Sequence, residues 1–135
     1  MIKKQEANIS KDNAMKILES YIQSAEDICN DIAELDKHTL EYRREKVEII
    51  KEKYREIKNN LTEDVKELDK YETVGVANSF YQPALHDMLY NSNLIPINHV
   101  SYRNMSKLYS SLYDIRDYAN HWKGKLESYK NKNQM

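Results

Sequence analysis

Apolar residues return every three or four positions through most of this chain, and the places where that rhythm stops divide it into segments. In the first segment they fall at Ala14, Leu18, Tyr21, Ala25, Ile28, Ile32 and Leu35. Alternating four- and three-residue steps put them all on one face of a helix, as in a heptad seam. Ile17, Ile22 and Cys29 flank the seam. A stripe that wide suits a helix covered by two neighbours. Ser10 stands at the N-cap position and Asp12 in the first turn. The hydroxyl satisfies a free amide, and the carboxylate suits the positive end of the helix dipole. Met1 to Ile9 lack the pattern and read as frayed chain.

Asp36, Lys37, His38 and Thr39 interrupt the stripe. Thr39 can cap a second helix, with Glu41 in its first turn. The rival reading is one uninterrupted rod from Ser10 to Tyr71, which would need a partner chain to cover its stripe. The second stripe runs Val47, Ile50, Tyr54, Ile57 and Leu61, then Val65, Leu68 and Tyr71 after an extra four-residue step. Such a mismatch fits a local change of winding. Asn60 to Glu63 also match a capping-box spacing, but a continuous helix is the favoured reading.

Gly75 marks the next connection. Ser79 to Gln82 have capping-box spacing, with Pro83 expected in the first helical turn, where a missing amide is tolerated. Ala84, Leu85, Met88 and Leu89 provide a short apolar face. Asn91, Ser92 and Asn93, then Pro96, predict an end near Tyr90. The last stripe is the most regular: Ser101, Met105, Leu108, Leu112, Ile115, Ala119, Trp122, Leu126 and Tyr129. It predicts a helix beginning near Ile97, with Gly124 inside it and a loose polar tail beyond Tyr129.

The pattern therefore predicts helices over about 10–37, 40–71, 79–90 and 97–129. None of these stripes can be buried alone. Together they predict an all-α fold: an elongated antiparallel four-helix bundle, with two long helices, one short and one long, packed in coiled-coil fashion as a single domain over 1–135.

Composition agrees with this reading. Among 135 residues there are 2 Gly and 2 Pro, little turn material for a small all-β fold. The formal net charge is -1, so no strong positive field draws the chain to phosphate. A single Cys rules out an intrachain disulfide framework and a Cys-rich zinc site. The sequence has no apolar run long enough to span a bilayer and no apolar leader, so the expected location is the cytoplasm.

Catalytic motifs are missing from the sequence. It has no phosphate-cradling Gly-rich loop, no His-Glu-x-x-His, no Cys-x-x-Cys and no nucleophile elbow. Glu-x-x-His, which a di-iron bundle requires, does not occur either. The expectation is a chain that is not an enzyme and carries no catalytic residues, metal site or cofactor. His121 follows Asp117 by four residues and reads as a surface pair. His86 and His99 flank the turn before the last helix and can meet, but two imidazoles without a third ligand make a poor metal site. His38 belongs to a helix junction. Cys29 reads as a small buried hydrophobe, since Asp27 and Asp31 do nothing to favour a thiolate. Glu41, Glu45, Glu48, Glu52 and Glu56 alternate with Lys and Arg, as on a solvated helix face.

Tyrosine is the anomaly, with 11 Tyr against 1 Trp and 1 Phe. Tyr102, Tyr109 and Tyr113 form an aromatic strip beside the last seam. The preferred expectation packs them against the short third helix. Left exposed, they would instead form a protein-binding or dimerisation surface. The functional expectation is a non-catalytic protein-protein interaction or scaffold domain that self-associates or binds a protein partner. The alternatives are a nucleic-acid-associated regulatory protein and the soluble part of a larger or membrane-anchored protein.

Overall fold

The computed structural model describes residues 6–37 and 39–129. Ser10 caps the first helix, α1 (Lys11–Glu34), by accepting the Asn13 amide at 3.2 Å. A single 3-10 turn, Leu35–Lys37, ends it. Thr39 then caps α2 (Leu40–Asp69), accepting the Tyr42 amide at 3.3 Å. The hairpin reading therefore holds and the single rod does not. The capping-box spacing at Asn60 causes no break, because α2 runs straight through it. Thr62 Oγ1 bonds back to the Lys58 carbonyl within the same helix.

α3 (Asn78–Ser92) and α4 (Met105–Ser128) complete an up-down-up-down bundle. Contacts along the chain establish the antiparallel order. Lys11 reaches the Glu127 carbonyl, Lys123 pairs with Glu19 at 2.5 Å, and Cys29 lies beside Tyr109, so α4 runs back along α1. Tyr21 meets Asp64 and Asp31 meets Lys46 across α1 and α2. Asn91 meets Ser111, and Asp87 accepts the Trp122 indole N–H at 2.9 Å across α3 and α4.

Most of the predicted stripe residues form the core; Ile32, Leu68, Tyr71, Ser101 and Trp122 are partly buried at its margin, and Tyr129, which ends the last stripe, is exposed. Ala14, Leu18, Ala25, Ile50, Tyr54, Leu61, Leu85, Met88, Leu108, Leu112, Ile115, Ala119 and Leu126 have no exposed surface. Two polar links cross this interior. Asn91 Nδ2 donates to the Ser111 carbonyl at 2.6 Å, and the Ser111 hydroxyl donates to the Asn91 carbonyl at 3.2 Å. Tyr54 Oη donates to the Ser92 and Ile95 carbonyls at 2.6 and 2.9 Å, satisfying the end of α3. Lys58 Nζ reaches the same carbonyls, and burial lowers its pKa.

Three expectations need correction. Glu6–Ala7 (β1) are not frayed: they pair in parallel with Glu72–Thr73 (β2), in register Glu6 to Glu72. Ile9 packs partly buried against the core and donates its amide to Asn78 Oδ1 at 3.3 Å. The Ser79–Gln82 capping box does not form. α3 begins at Asn78 with no side-chain cap, Gln82 instead accepts from the Thr73 hydroxyl at 2.8 Å, and Pro83 lies past the first turn. α4 begins at Met105 rather than near Ile97. Two 3-10 turns, Ile97–His99 and Tyr102–Asn104, occupy the expected first turns. The short α3 leaves the far end of the long hairpin bare, and this irregular segment descends to cover it. Its Val100 is buried in the shared core. Met1 to Gln5, His38 and the tail from Lys130 to Met135 lie outside the described residues.

Candidate interaction surface

α4 alternates between core and surface at helical spacing, so residues one position from the seam lie along its edge. Tyr109 and Tyr113 occupy that edge on the side facing α1, where Arg116 approaches Glu26 at 3.9 Å and Cys29 Sγ lies 3.9 Å from the Tyr109 carbonyl. The expectation that the strip packs under α3 is therefore overturned. α3 contacts the opposite edge of α4, through Ser111 and Trp122. Tyr102, Tyr109 and Tyr113 remain 46%, 37% and 42% exposed.

Exposure does not leave these rings loose. Tyr109 and Tyr113 stack at 6.2 Å between centroids, with planes 25° apart. The Arg116 guanidinium lies 3.9 Å above the Tyr113 ring and pairs with Asp117 at 3.3 Å. At the hairpin end, Tyr102 donates to the Asp36 carboxylate and accepts from Arg43 at 3.3 Å. Arg43 also lies over the Tyr102 ring at 5.3 Å. Tyr102 and Tyr113 thus each have an ordered cationic neighbour, an arrangement worth roughly 0.5–1 kcal/mol at an exposed site. Spacing grouped the three tyrosines on one helix, but Tyr102 lies in the 3-10 turn ahead of α4, and the stack is formed by Tyr109 and Tyr113. It also missed Arg43 and Asp36, which come from α2 and the hairpin turn. Arg116 was detectable, since it follows Tyr113 by one short helical step.

The remaining candidate chemistry disperses. Cys29 is half-buried, and burial pushes its thiol up to about 11 against the opposing pull of Arg116. A thiol held neutral in this way is a poor nucleophile. His86 faces Asp69 at 3.9 Å, while His99 is exposed and its carbonyl accepts from Asn104 at 2.8 Å. His121 packs edge-on against Trp122, and Asp117 pairs with Arg116 instead. Among the described residues no three His, Cys, Asp or Glu side chains converge as metal ligands. No described helix is long and apolar enough to cross a membrane.

A second surface feature separates α1 from α2. A groove of about 410 Å³ opens between Ile17–Ile28 and Lys53–Asp64. At its closed end Asp31 accepts from Lys53 at 2.7 Å and pairs with Lys46 at 3.1 Å, while Lys53 also reaches Asp27 at 2.8 Å. At its other end the Tyr21 hydroxyl donates to Asp64 at 2.5 Å. Burial, then that carboxylate, raises the Tyr21 pKa well above the usual phenol range. The groove was not legible in sequence, because it depends on how far two helices part. Comparison with family models, curated proteins and solved structures finds no match for this chain.

Proposed function

We propose that this chain is a non-catalytic, cytoplasmic protein-interaction module that self-associates through the tyrosine face of α4. The observation supporting this is the ordered, exposed Tyr109–Tyr113 stack with Arg116 on its ring. Tyrosine and arginine are among the residue types most enriched at binding hot spots. A tyrosine ring adds large contact area at little conformational cost, and its hydroxyl stays content in water when the partner leaves. Rings already stacked lose less freedom on association. Acidic and basic groups are interspersed around the strip: Glu26 and Asp117 lie beside Arg116, and Asp36 and Arg43 meet at Tyr102. Such a mixed face can pair with its own copy about a two-fold axis.

Sedimentation velocity across a concentration series tests the reading. The native chain should pass from monomer to dimer as concentration rises through the micromolar range. Tyr109→Ala with Tyr113→Ala should hold it monomeric and folded, with the modest loss of melting temperature that follows from removing a ring stack and a cation contact. A native chain that stays monomeric into the high micromolar range refutes the proposal.

A further inference from the structure

We infer that the seat of the N-terminal arm is a docking site for an extended segment of a partner protein, one with Lys or Arg where this chain has Glu6, and that the arm is a weak ligand held there in cis. The seat is built to read main chain. β1 lies parallel along β2, so backbone groups of Glu72–Thr73 hold it. Asn78, only 4% exposed, accepts the Ile9 amide on Oδ1 and donates through Nδ2 to the Val74 carbonyl. Its buried side chain thus bonds to backbone on both sides, and any extended segment without proline at that point supplies the same amide. Gly75 keeps the track open, since a Cβ there would strike the Asn8 side chain. Strand addition of this kind draws affinity from main-chain bonds and selectivity from side-chain contacts.

The arm's own side chains fit the seat poorly. The register sets Glu6 beside Glu72, both exposed, and like charges side by side across a ladder oppose the pairing. The cleft on the α2 side is lined by Asp64, which the Tyr21 phenol bonds, and by Glu67, which Lys70 pairs; no Lys or Arg lines it among the described residues. The seat is also incompletely filled. Open clefts of about 220 and 310 Å³ flank Asn8 and Ile9, the first against Val76 and Tyr129, the second against Leu68 and Tyr71. Val76 and Tyr129 are exposed, and Leu68, Tyr71 and Ile9 are half-buried, far from the close packing of a settled interior. A segment with a cation beside Glu72 keeps the same backbone bonds and exchanges repulsion for attraction. Tethering favours the arm, which competes at an effective concentration on the order of millimolar, so loosening it frees the site. The seat shares no residue with the Tyr109–Tyr113 stack, and the two surfaces can be tested apart.

NMR titration of the isotope-labelled full chain, read on the amides from Glu72 to Asn78, tests the inference. The probes are the peptides Lys-Gln-Lys-Ala-Asn-Ile-Ser and Lys-Gln-Glu-Ala-Asn-Ile-Ser, the second being the arm's own sequence. The first should bind more tightly by roughly three- to tenfold, the worth of exchanging one exposed repulsive pair for an attractive one. Ile9→Ser should loosen the arm and tighten the binding of both peptides. Glu72→Lys should reverse their order, with thermal melts showing both variants folded. No perturbation of these amides by the first peptide in Ile9→Ser, no preference between the peptides, or an order unchanged in Glu72→Lys overturns the inference. Dimers of the native chain that Ile9→Ser dissociates would make the arm of a second copy the occupant and overturn it as well.

Discussion

Asp31 stands alone in the sequence as one acid among 22 Asp and Glu, yet it ties two helices together. Its side chain is 14% exposed and is bracketed by Lys46 and Lys53. Burial alone would raise its pKa, but the two lysine hydrogen bonds outweigh that and hold the carboxyl below its usual range. A carboxylate depressed in the fold stabilises it fully above the unfolded pKa near 3.9, and that contribution is lost as pH falls through the lower folded value. Asp31→Asn should therefore cost about 1–3 kcal/mol at neutral pH. The difference from the native chain should close as pH drops below about 4. Urea midpoints measured across that range check both parts. Nothing in the local sequence distinguishes Asp31 from its exposed neighbour Asp27, because the distinction comes from α2.

The helices themselves were largely readable, since each carries its own period and the first two carry their own caps. Ser10 and Thr39 perform the capping their positions predict, and the Val47-to-Val65 stripe is buried along its length. Element ends were misread where distant chain replaced local signals. Asn78 is held by the N-terminal arm, and the segment before Met105 is drawn down to plug the bundle. The two glycines illustrate the difference. Gly75 has φ +99°, a conformation that side-chain-bearing residues rarely adopt, and a Cβ there would run into the Asn8 amide. Gly124 lies inside α4, where a Cβ would meet nothing. Gly75→Ala should destabilise by about 1–3 kcal/mol, whereas Gly124→Ala should stabilise by about 0.5–1 kcal/mol through helix propensity. Thermal or urea melts of the pair should move in opposite directions.

Across the whole molecule, core and surface edge lie side by side on α4. Leu112 is fully buried, while the adjacent Tyr113 is 42% exposed. Leu112→Ala should cost about 2–5 kcal/mol by opening a cavity in the bundle. Tyr113→Ala should cost far less, about 1 kcal/mol for its contacts with Arg116 and Tyr109, and leave the monomer folded. Its main effect should appear in the sedimentation series, so melting and association measurements separate the two roles. The class of fold followed from sequence because an apolar stripe is a local property, repeated on each helix and demanding a dry neighbour. The same spacing put Tyr109 and Tyr113 on one edge of α4, whereas Tyr102, grouped with them, falls in the turn before that helix. Which side of α4 the pair faces, which cations order these rings, and how far α1 and α2 part were decided only by tertiary packing. Those features join residues far apart in the chain, such as Tyr102 with Asp36 and Tyr21 with Asp64. Periodicity specifies that a face is buried, but it carries no information about which neighbour covers it or where that cover ends.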